Sequence, residues 1–182
     1  TCCVSGCGDI VMDEENKKFT VFTLGRICYQ KNPKLFNEVA KKLPDVRFVW
    51  IGDGELREEL TADNIEITGW VNRRKALSYA VSADAFVLTS LWEGLPMSLL
   101  EAMYMEKLCV VSNVIGNRDV IKNAKNGFVC NSADEFAEKI KYIESNDCSV
   151  MVGNAKKDVM ERYNTAVMAE KYDKIYRLRL ER

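Results

Sequence analysis

Six short runs that are apolar almost throughout recur along this chain: "FTVFTL" (19–24), "VRFVWIG" (46–52), "IEITG" (65–69), "AFVLTS" (85–90), "LCVVS" (108–112) and "GFVC" (127–130). Helical patterns separate most of them. "NPKLFNEVAKKL" spaces Leu35, Phe36, Val39, Ala40 and Leu43 along one helical face, with Pro33 suited to a first turn. "GELREEL" reads as a short helix, and "RRKALSYAVSA" sets Ala76, Leu77, Ala80 and Val81 on one face. Strands apolar on both faces, alternating with amphipathic helices, predict a doubly wound parallel α/β sheet covered on both sides. Its crossovers are right-handed, and its ligand crevice lies beyond the carboxyl ends of the strands where strand order reverses. In the usual order that point falls between the first and fourth strands. The loops there are "GRICYQKNP" and "SLWEGLP", chemically the two most unusual in the chain.

Residues 1–18 show no period and read as an arm or linker, so the domain is expected to span 19–182. From Ala133 the pattern is helical to the end. Phe136, Ala137, Ile140 and Ile143 share one face, and a last helix carries Met168, Tyr172 and Tyr176 at i, i+4 and i+8. A hydrophobic share of 47% in 182 residues supports one sizeable core rather than two. The 26 basic side chains nearly balance 27 acidic ones, which argues against nucleic acid or an anionic membrane as a bulk electrostatic partner. No run approaches the roughly 20 apolar residues of a membrane span, and no signal-peptide pattern opens the chain. Cys2, Cys3 and Cys7 cluster, yet no second cysteine pair and no histidine complete a zinc set. Cys28, Cys109 and Cys130 fall in or beside strands, where a reduced thiol is a small apolar filler. A cytoplasmic protein is expected. The opening Thr1, in place of a Met, suggests a piece of something longer.

Two acids stand out in "TSLWEGLPMSLLEAMYM". Glu101 sits mid-helix among Leu100, Ala102, Met97, Tyr104 and Met105, and Glu93 lies eight residues earlier beside Gly94 and Pro96. A carboxylate in apolar company needs donors. Two readings fit: an ion pair with a Lys or Arg elsewhere, or a carboxylate awaiting ligand hydroxyls. Pro96 reads as part of the first helical turn, with the N–H groups over residues 96–99 facing the crevice, as at an anion site. Gly94 removes bulk where a ligand approaches. Across the crevice, Arg26 and Lys31 suit a diphosphate, Arg bidentately and Lys as a point charge, or each is simply a solvated surface charge. A basic loop, a helix start and two acids together have the shape of a nucleotide-sugar site.

The segments "GRICYQKNP", "VWIGDGELREEL", "IEITGWV", "SADAFVLTSLWEGLPMSLLEAM", "VVSNVIGNRDVI" and "NGFV" occur in this order over residues 19 to about 130. In them the chain resembles the C-terminal, donor-binding domain of a GT-B glycosyltransferase of family 4, also called group 1. That resemblance implies a Rossmann-like fold forming one half of a GT-B enzyme, with the N-terminal acceptor domain outside this chain. It implies that Arg26 and Lys31 bind the diphosphate, and that Glu93, the catalytic acid, contacts the donor sugar beside the backbone of Gly94, Leu95 and Pro96. Backbone amides near Ser98 and Leu99 would cap phosphate, Glu101 would hold ribose hydroxyls, and Trp70 and Val71 would lie at the base, although Trp70 equally suits a packing role. Family catalysis is retaining and needs neither bound metal nor cofactor. "GNRDVI" departs from the family, Arg118 and Asp119 standing where a glycine-rich segment ending in Glu is common.

The leading expectation is the donor half of a sugar transferase, UDP-linked, acting on a glycan or lipid-linked acceptor in surface polysaccharide assembly. The full enzyme would touch the cytoplasmic membrane face at most peripherally, and this piece alone would be inactive. The alternatives are a non-catalytic nucleotide-binding module, a nicotinamide-dependent dehydrogenase domain and a sugar-nucleotide epimerase. "GDGELR" carries only two of the three glycines of a dinucleotide fingerprint and follows a second strand rather than a first. Epimerases of this fold usually need His or acidic groups, and the chain has no His.

Overall fold

The structure, a computed structural model, describes residues 18–180; the arm predicted over residues 1–18, with Cys2, Cys3 and Cys7, lies almost wholly outside them. The strands are β1 (Thr20–Leu24), β2 (Arg47–Ile51), β3 (Ile65–Ile67), β4 (Ala85–Leu88), β5 (Leu108–Ser112) and β6 (Phe128–Cys130). They form one parallel sheet in the order β3-β2-β1-β4-β5-β6. This is the doubly wound order, with its reversal between β1 and β4 as expected.

Helices α1 (Pro33–Lys42), α2 (Arg73–Ser82), α3 (Met97–Tyr104), α4 (Asn117–Val120), α5 (Ala133–Ser145), α6 (Ser149–Arg162) and α7 (Thr165–Leu180) complete the fold. The period of 2 along the strands splits the core into two layers. Val21, Phe48, Trp50 and Val87 face one way and pack with Phe36 of α1 and Phe136 and Ile140 of α5. Phe22, Val49, Phe86 and Leu88 face the other and pack with α2, α3 and α6 through Ala80, Leu99, Met103 and Ala155. Each large apolar side chain sealed in this way contributes about 1.5–3 kcal/mol, which is why both layers need a helix cover. Asn32 starts α1: it adopts a left-handed φ of 51°, its side chain accepts from the Leu35 N–H at 3.4 Å, and Pro33 follows. Burial pushes the Cys130 thiol up to about 12 and that of Cys109 further still, so both are inert filler in the core.

Two expectations shift, and the last helix forms as expected with its large side chains exposed. "GELREEL" forms a shorter helix than its pattern suggests, a single 3-10 turn over Arg57–Glu59. The Arg57, Glu59 and Leu60 N–H groups close this turn on Gly54, Leu56 and Arg57, while the Leu56 N–H is drawn off to Ile27 O at 3.2 Å. Val81 of the α2 face is exposed, and Leu77 only half-buried, because both line a groove rather than the core. Met168, Tyr172 and Tyr176 of α7 are exposed, as is Ile175. Among the described residues no helix is long and apolar enough to cross a membrane.

The tightest point is where the loop after β2 crosses the loop after β1. Gly52 has φ +139°, and a Cβ there would lie 2.2 Å from Gly25 O. The carbonyl of Gly25 in turn accepts from the Trp50 indole at 2.9 Å. Gly52→Ala is therefore expected to lower the unfolding free energy by about 2–4 kcal/mol, combining backbone strain with overpacking. Urea denaturation checks this against Gly153→Ala, a helix position where a Cβ meets nothing within 4 Å.

Candidate functional site

At the reversal the loops after β1 and β4 are stitched together. The Leu91 N–H donates to Gln30 O at 2.8 Å, Gln30 Nε2 to Trp92 O at 3.0 Å, and Thr89 Oγ1 to Lys31 O at 2.8 Å. The rings of Tyr29 and Trp92 meet at 5.9 Å. These bonds bring the basic loop and the acidic loop face to face. Lys31 Nζ donates to Glu93 Oε1 at 2.6 Å, with side chains only 18% and 7% exposed. Ser90 Oγ donates to the same oxygen at 2.6 Å.

A third loop closes the far side. Gly116, at φ +86°, presses on Glu93 and Gly94 so closely that a Cβ would lie 2.4 Å from Gly94 O and 2.6 Å from Glu93 O. Gly94 itself borders open space, since a Cβ there would meet nothing within 4 Å. The Glu93–Gly94 backbone is thus clamped behind and open in front. Leu95 is exposed, and Pro96 is the cap of α3 rather than part of its first turn. Pro96 carries no N–H, and the Leu99 N–H donates to Pro96 O at 3.1 Å. The open donors of this helix start are therefore the N–H groups of Met97 and Ser98.

The remaining residues lie around this centre. Arg26 is exposed and pairs with Glu55 at 3.0 Å, on the loop after β2. Glu101 is less buried than its apolar neighbours imply: 27% of its side chain is exposed, and Arg73 at the start of α2 meets it at 2.8 Å. Met97 and Tyr104, on either side of it along α3, are themselves exposed. They belong to a groove of about 460 Å³ between α2, α3 and α6, lined by Leu77, Val81, Leu100 and Val159 and headed by Arg73 and Glu101. Trp70 is 72% exposed, so it is not a packing residue, while Val71 packs against the α2 layer. Arg118 reaches Asn113 at 3.3 Å, and Asp119 accepts from the Gly116 N–H at 3.2 Å, so this departing segment braces its own turn.

Residues 11–163 match the family described as Glycosyl transferases group 1. The chain belongs to that family. It is 34% identical over 175 residues to the UDP-Gal:alpha-D-GlcNAc-diphosphoundecaprenol alpha-1,3-galactosyltransferase of Escherichia coli, covering 86% of this chain and 45% of that protein. It is 32% identical over 157 residues to a GalNAc-alpha-(1->4)-GalNAc-alpha-(1->3)-diNAcBac-PP-undecaprenol alpha-1,4-N-acetyl-D-galactosaminyltransferase of Campylobacter jejuni, covering 77% of this chain and 43% of that one. The chain thus spans less than half the length of these relatives. A crystal structure of the C-terminal domain of a group 1 glycosyl transferase, LpcC of Francisella tularensis, superposes with a TM-score of 0.70 at 22% identity, covering 81% of this chain and 87% of that one. The architecture is the Rossmann-like one of GT-B glycosyltransferases.

Sequence reasoning missed Ser90, Arg73, Glu55 and Gly116. Only Gly116 carried a readable signal, as a glycine in a loop beside the crevice. Two of the site's three ion pairs, Lys31–Glu93 and Arg73–Glu101, should differ in weight. Lys31→Ala leaves the shielded Glu93 charge with one donor fewer and is expected to cost about 1–3 kcal/mol. Arg73→Ala removes an exposed partner and should cost no more than about 1 kcal/mol. Equilibrium unfolding of both variants checks the order.

Proposed function

We propose that this chain is the C-terminal, donor-binding domain of a retaining, metal-independent family 4 glycosyltransferase. It would move a sugar from a nucleoside-diphosphate sugar, UDP-linked, to a glycan or lipid-linked acceptor in surface polysaccharide assembly. The observation that carries the reading is the meeting of Lys31 and Glu93 at the β1/β4 reversal, beside the open N–H groups of Met97 and Ser98. A diphosphate entering there finds a lysine, a helix start and, at the rim, Arg26. Such groups neutralise phosphate charge in the way a divalent cation would. Displacing Lys31 from Glu93 frees that acid for the sugar, which lies along the open face of Gly94, Leu95 and Pro96. Glu101 turns from Arg73 to the ribose hydroxyls, and the base lies by Trp70 and Val71.

Two relatives support the substrate class, since their names describe transfer onto undecaprenol-linked diphosphates. The fit to a separately crystallised C-terminal domain supports the division of the enzyme. The acceptor domain belongs to the remainder of the longer protein, with the cleft between the halves at the cytoplasmic membrane face. Retention of configuration and independence of metal rest on the family resemblance. No observation favours the dehydrogenase reading, for Gly52 and Gly54 are spent on packing against Gly25 and Ile27.

A UDP- or GDP-sugar is expected to raise the melting temperature of the chain without added Mg²⁺, because it binds only the folded state. Shifts that need Mg²⁺ or Mn²⁺ and vanish with chelator would overturn the metal-free reading. Calorimetry of two variants separates the acids. Glu101→Ala should weaken the bare nucleoside diphosphate by roughly ten- to a hundredfold, the scale of a hydrogen bond to a charged group. Glu93→Ala, which removes the acid that competes for Lys31, should not weaken the bare diphosphate and should weaken the intact sugar donor. Equal losses for both ligands in both variants would sink this assignment. The chain alone should transfer no sugar to any acceptor, and robust turnover by it would count against the two-domain reading.

A further inference from the structure

Beneath Glu93 runs a buried polar chain that the donor site as proposed does not use. Asn117, fully buried at the start of α4, donates through Nδ2 to both O and Oγ of Ser112, at 3.1 Å each. Ser112, the last residue of β5, donates its hydroxyl to Ser90 O at 2.5 Å. Ser90, 1% exposed, donates its own hydroxyl to Glu93 Oε1. The chain crosses from β5 to the loop after β4 and ends on the catalytic candidate. Asn117 Oδ1 is buried without a partner among the described residues, so this set is not fully satisfied, but its linked hydroxyls fix geometry in a way that separate bonds do not.

The two oxygens of Glu93 are treated differently. Oε1 takes both Ser90 and Lys31, whereas Oε2 has no partner among the described residues and is not sealed from solvent. We propose that Ser90 is a positioning residue for the sugar-binding acid: held through Ser112 and Asn117, it pins Oε1 so that Oε2 stays aimed into the crevice once Lys31 has moved to the diphosphate. The proposal rests on the donor-site reading. Lys31 and Ser90 hold Glu93 together in this structure, and with donor bound Ser90 holds it alone. Ser90 should therefore matter to the sugar and not to the diphosphate. A hydroxyl that merely stapled the loop would affect both ligands alike.

The test has a ligand-free arm and a ligand arm. Crystal structures of Lys31→Ala and of Lys31→Ala/Ser90→Ala, both without ligand, are compared at Glu93. The expected result is an unmoved carboxylate in the first and a reoriented one in the second. A carboxylate displaced in the first, or unmoved in the second, overturns the proposal. For binding, the 182-residue chain is titrated with UDP and with the UDP-sugar that wild type takes. Ser90→Ala should hold UDP within about twofold and weaken the sugar donor about tenfold, the lower range for a hydrogen bond to a charge. Ser90→Thr, which keeps the hydroxyl, should restore the donor. Equal losses for both ligands, or no loss for either, overturn the proposal, with the melting temperature of Ser90→Ala excluding simple unfolding. Failure of wild type to bind any nucleotide-sugar sinks the functional reading instead, and the ligand-free structures then decide on Ser90 alone.

Discussion

Parallel strands cannot be joined by tight hairpins, so each of the six strands here hands its chain on at the same edge of the sheet. Where the order reverses, between β1 and β4, the helices that follow leave to opposite faces and a crevice opens between them. The loops there must pass within backbone contact of one another. Bonds from Leu91 to Gln30, Gln30 to Trp92 and Thr89 to Lys31 tie them, and glycines let the next loops press on each: Gly52 against Gly25 and Gly54 against Ile27 from the loop after β2, Gly116 against Glu93 and Gly94 from the loop after β5. Without this crowding, Lys31 and Glu93 would be two solvated loop charges. Because of it they meet with little water around them.

The same crossings explain why "GDG" is a poor guide to ligand chemistry in this chain. In a dinucleotide fold the glycines after the first strand let a pyrophosphate approach the helix start. Here the pair follows β2, and Cβ atoms at Gly52 and Gly54 would each sit 2.2 Å from a carbonyl oxygen of the neighbouring loop. The glycines admit backbone rather than phosphate. One residue pattern thus serves two physical ends, and only the identity of the approaching group separates them.

The strands and their order were legible because both faces of a parallel sheet are covered, leaving apolar runs with little alternation. The E-x7-E element was legible too, in its loop-then-helix setting. Electrostatic partners were not. Glu101 looked buried because its neighbours are apolar, yet Met97 and Tyr104 line a groove rather than the core. The ion-pair reading of Glu101 is the one the structure shows, with Arg73 some 28 positions away along the chain. Ser90, Ser112 and Asn117 raised no signal, since serine and asparagine are common in loops and their connection spans two strands. Nor could "GELREEL" reveal that its Leu56 N–H would donate to Ile27. Local periodicity reports which face of an element is apolar; it does not report what lies across a loop crossing.

In this structure every charged candidate already has a partner: Arg26 with Glu55, Lys31 with Glu93, Glu101 with Arg73. Ligand binding in the proposed function is therefore an exchange of partners. The outer two pairs have exposed arginines, and such pairs are worth about 0–1 kcal/mol, so they yield with little resistance. The inner pair is shielded, and a hydrogen bond to a charge there is worth about 1.5–3 kcal/mol. A ligand gains by drawing Lys31 away only if it offers more negative charge than the single carboxylate it replaces. A diphosphate does, and at the same moment the Met97 and Ser98 amides add their own attraction. The acid is thus uncovered when the phosphates are in place and not before.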